Sequence, residues 1–189
     1  MDASRHIVSE RGAGALTYDE IAHVSGVTRG GITYHFPTKE SLLRALVEQD
    51  LEQWQSIEEE LCPTQCSAET AELLGFLRAH THEDPERRRF VTGMLSAVMH
   101  DPPILDPVRA HENERLKDVE WTDRNLDREL LRMAAMGLFW SDAFGCPQMD
   151  KELRRMLVAR LEARALEWSN SGDSDDNDDY DDEDSGGKA

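Results

Sequence analysis

Leu16-Thr17-Tyr18-Asp19-Glu20-Ile21-Ala22-His23-Val24-Ser25-Gly26-Val27-Thr28-Arg29-Gly30-Gly31-Ile32-Thr33-Tyr34-His35-Phe36-Pro37-Thr38-Lys39-Glu40 is the stretch whose pattern decides the fold. Thr17 followed three residues later by Glu20 has the form of a capping box opening a helix that ends near Val24. Gly26 supplies the left-handed residue of a tight turn, and a second short helix runs from Thr28 to about Tyr34. Pro37 stops the chain and Thr38 caps a longer helix. Two short helices about such a turn form a helix-turn-helix candidate, with small Ala22 at the crossing and Ile21, Val27 and Ile32 as the shared core.

The polar face of the second helix gives the pair chemical meaning. Thr28, Arg29, Thr33, Tyr34 and His35 are side chains that can serve phosphates and base edges. Gly30 and Gly31 each cost about 1 kcal/mol relative to Ala inside a helix, which close approach to a DNA backbone or to the neighbouring helix would explain. Lys39 lies at the start of the next helix, where backbone N–H groups and the helix dipole favour a phosphate.

Outward from this stretch, apolar residues recur at three- and four-residue spacing and no alternating strand pattern emerges, so the fold class is all-α. Gly and Pro breaks divide the body into about nine helices. The first is Asp2 to Arg11, and the fourth runs from Thr38 to about Glu60. The fifth contains Leu73, Leu74, Phe76 and Leu77. Asp84-Pro85 opens a sixth with Phe90, Val91, Met94, Leu95 and Val98. Pro107 opens a polar seventh holding Leu116 and Trp121. The eighth, about Leu126 to Phe144, is the most apolar. The ninth, about Lys151 to Trp168, aligns Leu153, Met156, Leu157, Leu161, Ala165 and Trp168 on one stripe.

Residues 1–47 are thus expected to form a three-helix domain built on the helix-turn-helix and 48–169 a second, helical domain. Residues 170–189 carry nine acids and one lysine. They cannot bury enough apolar surface to offset ordering, and are expected to be a disordered acidic tail.

The whole chain of 189 residues has a formal net charge of −18, which at first weighs against a nucleic-acid partner. Residues 1–47, however, balance five acids against five Arg and Lys, so the acidity belongs to the body and tail. Its expected role is solubility. Three cysteines and the lack of any long apolar run point to a reducing cytoplasmic setting with no membrane partner.

The quoted stretch, extended through Ser41-Leu42-Leu43, resembles the DNA-binding domain of TetR-family transcriptional repressors, above all in its Tyr-His-Phe-Pro-Thr-Lys-Glu run. Family members usually have more of a first helix before the point where Met1 stands. The Gly-Gly-Ile-Thr-Tyr-His-Phe-Pro form and Met136 to Asp142 look most like multidrug-responsive repressors of efflux genes. The resemblance implies that residues 48–169 are the ligand-binding and dimerisation domain, with a homodimer paired through the last two helices, a double-stranded DNA operator and a small-molecule effector that is apolar or cationic. Carried over by position, DNA contacts fall on Thr17, Tyr18, Thr28, Arg29, Gly31, Thr33, Tyr34, His35 and Lys39. Arg29 is the expected base reader, and Tyr34, His35, Thr17 and Lys39 the phosphate holders.

For the effector, Phe76, Phe90, Met94, Met133, Met136 and Trp140 are the expected pocket residues, from a stock that also includes Trp54, Met99 and Trp121. Asp142 could meet a cationic ligand or pair with an arginine. No cofactor is expected, and no metal site, since His80 and His82 are two apart on a helix. Neither an activated nucleophile nor paired catalytic carboxylates appear, so no enzyme is expected. The competing interpretations are a helical protein-interaction module without DNA binding and an all-α enzyme.

Overall fold

The computed structural model describes residues 1–171. Among them are nine α-helices and no strand: α1 (Asp2–Arg11), α2 (Tyr18–Ser25), α3 (Arg29–His35), α4 (Lys39–Glu60), α5 (Ala68–Thr81), α6 (Pro85–His100), α7 (Asp106–Leu116), α8 (Asp123–Phe144) and α9 (Lys151–Ser171). Single 3-10 turns precede α2 and α7.

Local chemistry sets most of the boundaries. The Thr17 hydroxyl accepts from the Glu20 backbone N–H, but the Glu20 carboxylate turns to Arg11 at 2.6 Å, so only half of the expected capping box forms there. The reciprocal box is at α4 instead, between Thr38 and Ser41. Thr28 caps α3 from outside it, its hydroxyl accepting from Gly31 N. Gly26 turns the chain at φ 71. Asp84 caps α6 ahead of Pro85, and α8 starts at Asp123 behind its Thr122 cap, a few residues before the expected Leu126. Trp121 therefore lies outside α7, exposed in the connection.

Two apolar cores organise the chain. The first joins Ile7 and Val8 of α1, Ile21, Ile32, Leu42, Leu46 and Val47 to Phe90 and Met94 of α6. The second joins Leu73, Leu74, Phe76 and Leu77 of α5 to Ala135 of α8 and Leu161, Ala165 and Trp168 of α9. Val27, expected in the first core, is 50% exposed. Because that first core takes residues from both the helix-turn-helix unit and α6, the N-terminal unit is seated on the body. Gly93 makes this closeness possible: a Cβ there would stand 2.3 Å from the Val8 carbonyl oxygen.

The stripe expected on α9 divides. Leu161, Ala165 and Trp168 are buried within the chain, with the Trp168 indole N–H donating to Arg124 O at 2.8 Å. Leu153, Met156 and Leu157 remain exposed, as do Leu130, Met133 and Phe144 of α8. Helix α9 continues through Ser171, two residues into the segment expected as tail, and residues 172–189 of that segment lie outside the described residues.

Candidate functional site

The N-terminal unit presents a polar face built on α3. Tyr34 is 82% exposed at its centre, with the His35 ring edge-on at 5.2 Å. The Thr33 hydroxyl donates back to Gly30 O. Arg29 is exposed, and one of its guanidinium nitrogens, Nη1, donates to both carboxylate oxygens of Asp19 of α2, at 2.9 and 3.0 Å. Lys39 reaches Gly14 O at 3.4 Å. Thr17 and Thr28 are occupied as caps through their oxygens, so each hydroxyl proton can still be donated outward. Tyr18 differs: its hydroxyl donates to Phe36 O at 2.7 Å, fastening α2 to the turn after α3, and burial raises its pKa. The two glycines also differ. A Cβ on Gly31 would meet the Thr28 hydroxyl at 3.3 Å, whereas one on Gly30 would meet nothing among the described residues, so no packing among them accounts for Gly30.

Behind this unit lies a cavity of about 580 Å³ enclosed by α4 to α8 and lined mainly by apolar side chains. That volume falls in the range of small-molecule sites. All six side chains expected at a pocket, Phe76, Phe90, Met94, Met133, Met136 and Trp140, border it. Trp54 borders it too, whereas Met99 and Trp121 are exposed elsewhere.

Charged groups also stand among these walls, and no sequence pattern announces them. Asp50 of α4 takes Arg5 of α1 at 2.7 Å and Arg87 of α6 at 3.4 Å. The Arg87 guanidinium also stacks 3.3 Å from the Trp54 ring. Arg115 of α7 grips Glu129 of α8 at 2.6 and 3.0 Å and Glu112 at 2.9 Å. His80 is stacked on Phe76 with centroids 3.9 Å apart, and its Nδ1 lies 3.0 Å from Phe76 O. Burial, which outweighs that hydrogen bond, holds its pKa at about 3, so the ring is neutral. Arg132 of α8 lies 3.6 Å over the other partner of that stack, Phe76.

Glu58 of α4 is pushed up from 4.5 to about 7, first by burial, against the pull of Arg132 and with a further push from Glu112. The Trp54 indole N–H lowers it slightly without completing a hydrogen bond. Asp142 does not border the cavity; Arg154 holds it at 2.8 Å. These acids and bases were invisible in the sequence because helical spacing assigns them to polar faces. Only the way α4, α6, α7 and α8 converge turns those faces inward.

An exposed helix-turn-helix on an all-helical body with an internal apolar cavity is the architecture of a DNA-binding transcriptional regulator. The family described as "Bacterial regulatory proteins, tetR family" matches residues 1–46, and "Tetracyclin repressor-like, C-terminal domain" matches residues 70–166. The chain belongs to the TetR family of transcriptional regulators. Its fold is similar to that of a TetR-family transcriptional regulator from Rhodococcus sp., at 18% identity and a TM-score of 0.61, covering 87% of this chain and 95% of that one. It is also similar to Salmonella enterica GusR, at 18% identity and 0.58, covering 87% and 92%. A third similar fold is that of a TetR family regulator from Pseudomonas syringae pv. tomato, at 19% and 0.58, covering 88% and 92%. No curated protein matches the chain. No described helix is long and apolar enough to cross a membrane.

Proposed function

We propose that the protein is a cytoplasmic, homodimeric repressor that binds a palindromic operator and is released from it by a small molecule entering the cavity. The observation that carries this is the pairing of an exposed donor-rich α3 with an apolar cavity to which α4 contributes directly. Helix α4 begins beside Lys39 in the DNA-binding unit and carries Asp50, Trp54 and Glu58 to the cavity wall. A ligand that favours one placement of α4 would thereby bias the recognition helices, which is the differential affinity that linkage requires.

In such a dimer the two α3 helices would enter successive major grooves roughly 34–36 Å apart. The exposed apolar side chains of α8 and α9, Leu130, Phe144, Leu153, Met156 and Leu157, support pairing of two copies through these helices, since patches of this kind mark interaction surfaces. The likeness of residues 30–37 and 136–142 to multidrug-responsive repressors supports an efflux gene as target.

DNA binding measured over a salt series, using the DNA upstream of the gene, tests the assignment. Arg29→Ala should cost about 1–3 kcal/mol of discrimination at one base pair. Lys39→Ala should weaken binding to all sequences and lower the salt slope by about one. Unchanged affinity in both variants would refute it.

A further inference from the structure

We propose that the cavity takes a monocarboxylate with an apolar or aromatic body, its carboxylate held by the Arg132 guanidinium and bridged to the carboxyl group of Glu58. This rests on the ligand-responsive function proposed above and names the ligand class.

Pairing the cavity's charges leaves these two groups over. Asp50 is matched by Arg5 and Arg87, and Glu112 and Glu129 by Arg115. Arg132 is only 5% exposed, yet among the described residues it makes no hydrogen bond. Its one ion pair, 3.9 Å to the exposed Glu72, is too long for one. Its contact with the Phe76 face satisfies charge but none of its five donors. A guanidinium cannot shed its proton to escape this state, and its planar fork matches a carboxylate. Glu58 likewise has no ion pair among the described residues.

The sign and size of the ligand follow. A cation beside Glu58 would stand next to the permanent charge of Arg132, and Asp142, the acid the sequence offered to a cation, is held by Arg154 away from the cavity. A dianionic phosphate would face Glu58, Glu112 and Glu129, and among the described lining residues Arg132, itself 3.9 Å from Glu72, would be left to balance it. A single carboxylate fits, with its body against Phe76, Phe90, Met94 and Met136.

Glu58 supplies the second contact in its protonated form, donating its O–H to the ligand's carboxylate. Where Glu58 is ionised, binding takes up one proton from solvent. The groups that face it are Trp54 on its own helix, Arg87 on α6, Glu112 on α7 and Arg132 on α8. Since Glu58 titrates at about 7, affinity should fall as pH rises above that value.

Calorimetry on the full chain with phenylalkanoates from phenylbutanoate to phenyloctanoate, and with the amide and the amine of each, tests the head group. The acid should bind about ten- to a hundredfold more tightly than the amide. Arg132→Met should abolish that preference and Arg132→Lys keep part of it. In Glu58→Gln the acid should bind without proton uptake.

Amide or amine binding as tight as the acid would overturn the carboxylate assignment and leave ligand response standing. A bound acid that leaves operator affinity unchanged would instead refute the ligand-responsive function while sparing the carboxylate site.

Discussion

Replacing Gly93 by Ala should unseat the DNA-binding unit from the body while leaving every helix intact. The added Cβ would stand 2.3 Å from Val8 O and 3.3 Å from the Val8 Cγ1, where ordinary contact begins at 3.4 Å. The carbonyl cannot turn aside, because it accepts the hydrogen bond from Gly12 N at 2.9 Å that ends α1. Helices α1 and α6 must therefore separate by about 1 Å. Overpacking of this kind costs about 1–3 kcal/mol. For a chain of this size that lowers the melting temperature by roughly 2–12 °C. Because α1 holds the helix-turn-helix against α6, operator affinity should fall as well. Calorimetric melting and fluorescence anisotropy on labelled operator read the two effects. A variant that melts with wild type and binds operator equally would refute the claim that this close approach sets the position of the DNA-binding unit.

Gly30→Ala should stabilise α3 by up to about 1 kcal/mol, since nothing surrounds the new Cβ, while operator affinity falls if the DNA backbone passes there; paired melting and anisotropy separate the two. Asp19→Asn should raise operator affinity at low salt, because it frees Arg29 and removes an anion facing the phosphates; a salt titration checks it. Glu58 binds its proton more tightly folded than unfolded, so its penalty on stability is absent below about pH 4.5, grows as pH rises to about 7 and is constant above. Glu58→Gln should match wild type in the acid and exceed it at about pH 8 by about 1–2 kcal/mol, after allowing for solvent reaching the cavity; denaturant melts across pH read the difference.

The helix-turn-helix was legible in the sequence because its determinants are local. Thr17, Gly26, Thr28, Pro37 and Thr38 each act within a few residues, so caps and turns could be placed without tertiary knowledge. The pocket's apolar residues were legible for a different reason: Phe76, Phe90 and Met136 lie on apolar helix faces, and such faces converge. What failed was any inference needing a partner from a distant helix. Val27 follows the pattern of core residues but is left half-exposed, and Glu20 prefers the Arg11 guanidinium to its own cap. Trp168 and Leu153 share a stripe on α9, yet only the C-terminal half of that stripe meets α5. Arg132 and Glu58 are separated by more than seventy positions and three intervening helices, so no periodicity could join them.

The same geometry suggests how a signal could travel. Asp50 stands at the junction of the two units, 9% exposed, taking Arg5 from α1 on one side and Arg87 from α6 on the other. Arg5 is further fixed over the Phe90 ring at 4.1 Å and Arg87 over Trp54. Phe90 and Trp54 both line the cavity. A ligand pressing on either ring would act on an arginine whose only carboxylate partner among the described residues belongs to α4. Such a clamp would switch rather than flex, because breaking one side would leave a buried charge unpaired and favour wholesale rearrangement over gradual strain. On that account, Arg5→Met should weaken the coupling between effector and operator more than it weakens either binding step alone. A double-mutant cycle on the two affinities measures this directly, and an unchanged coupling factor would locate the relay elsewhere.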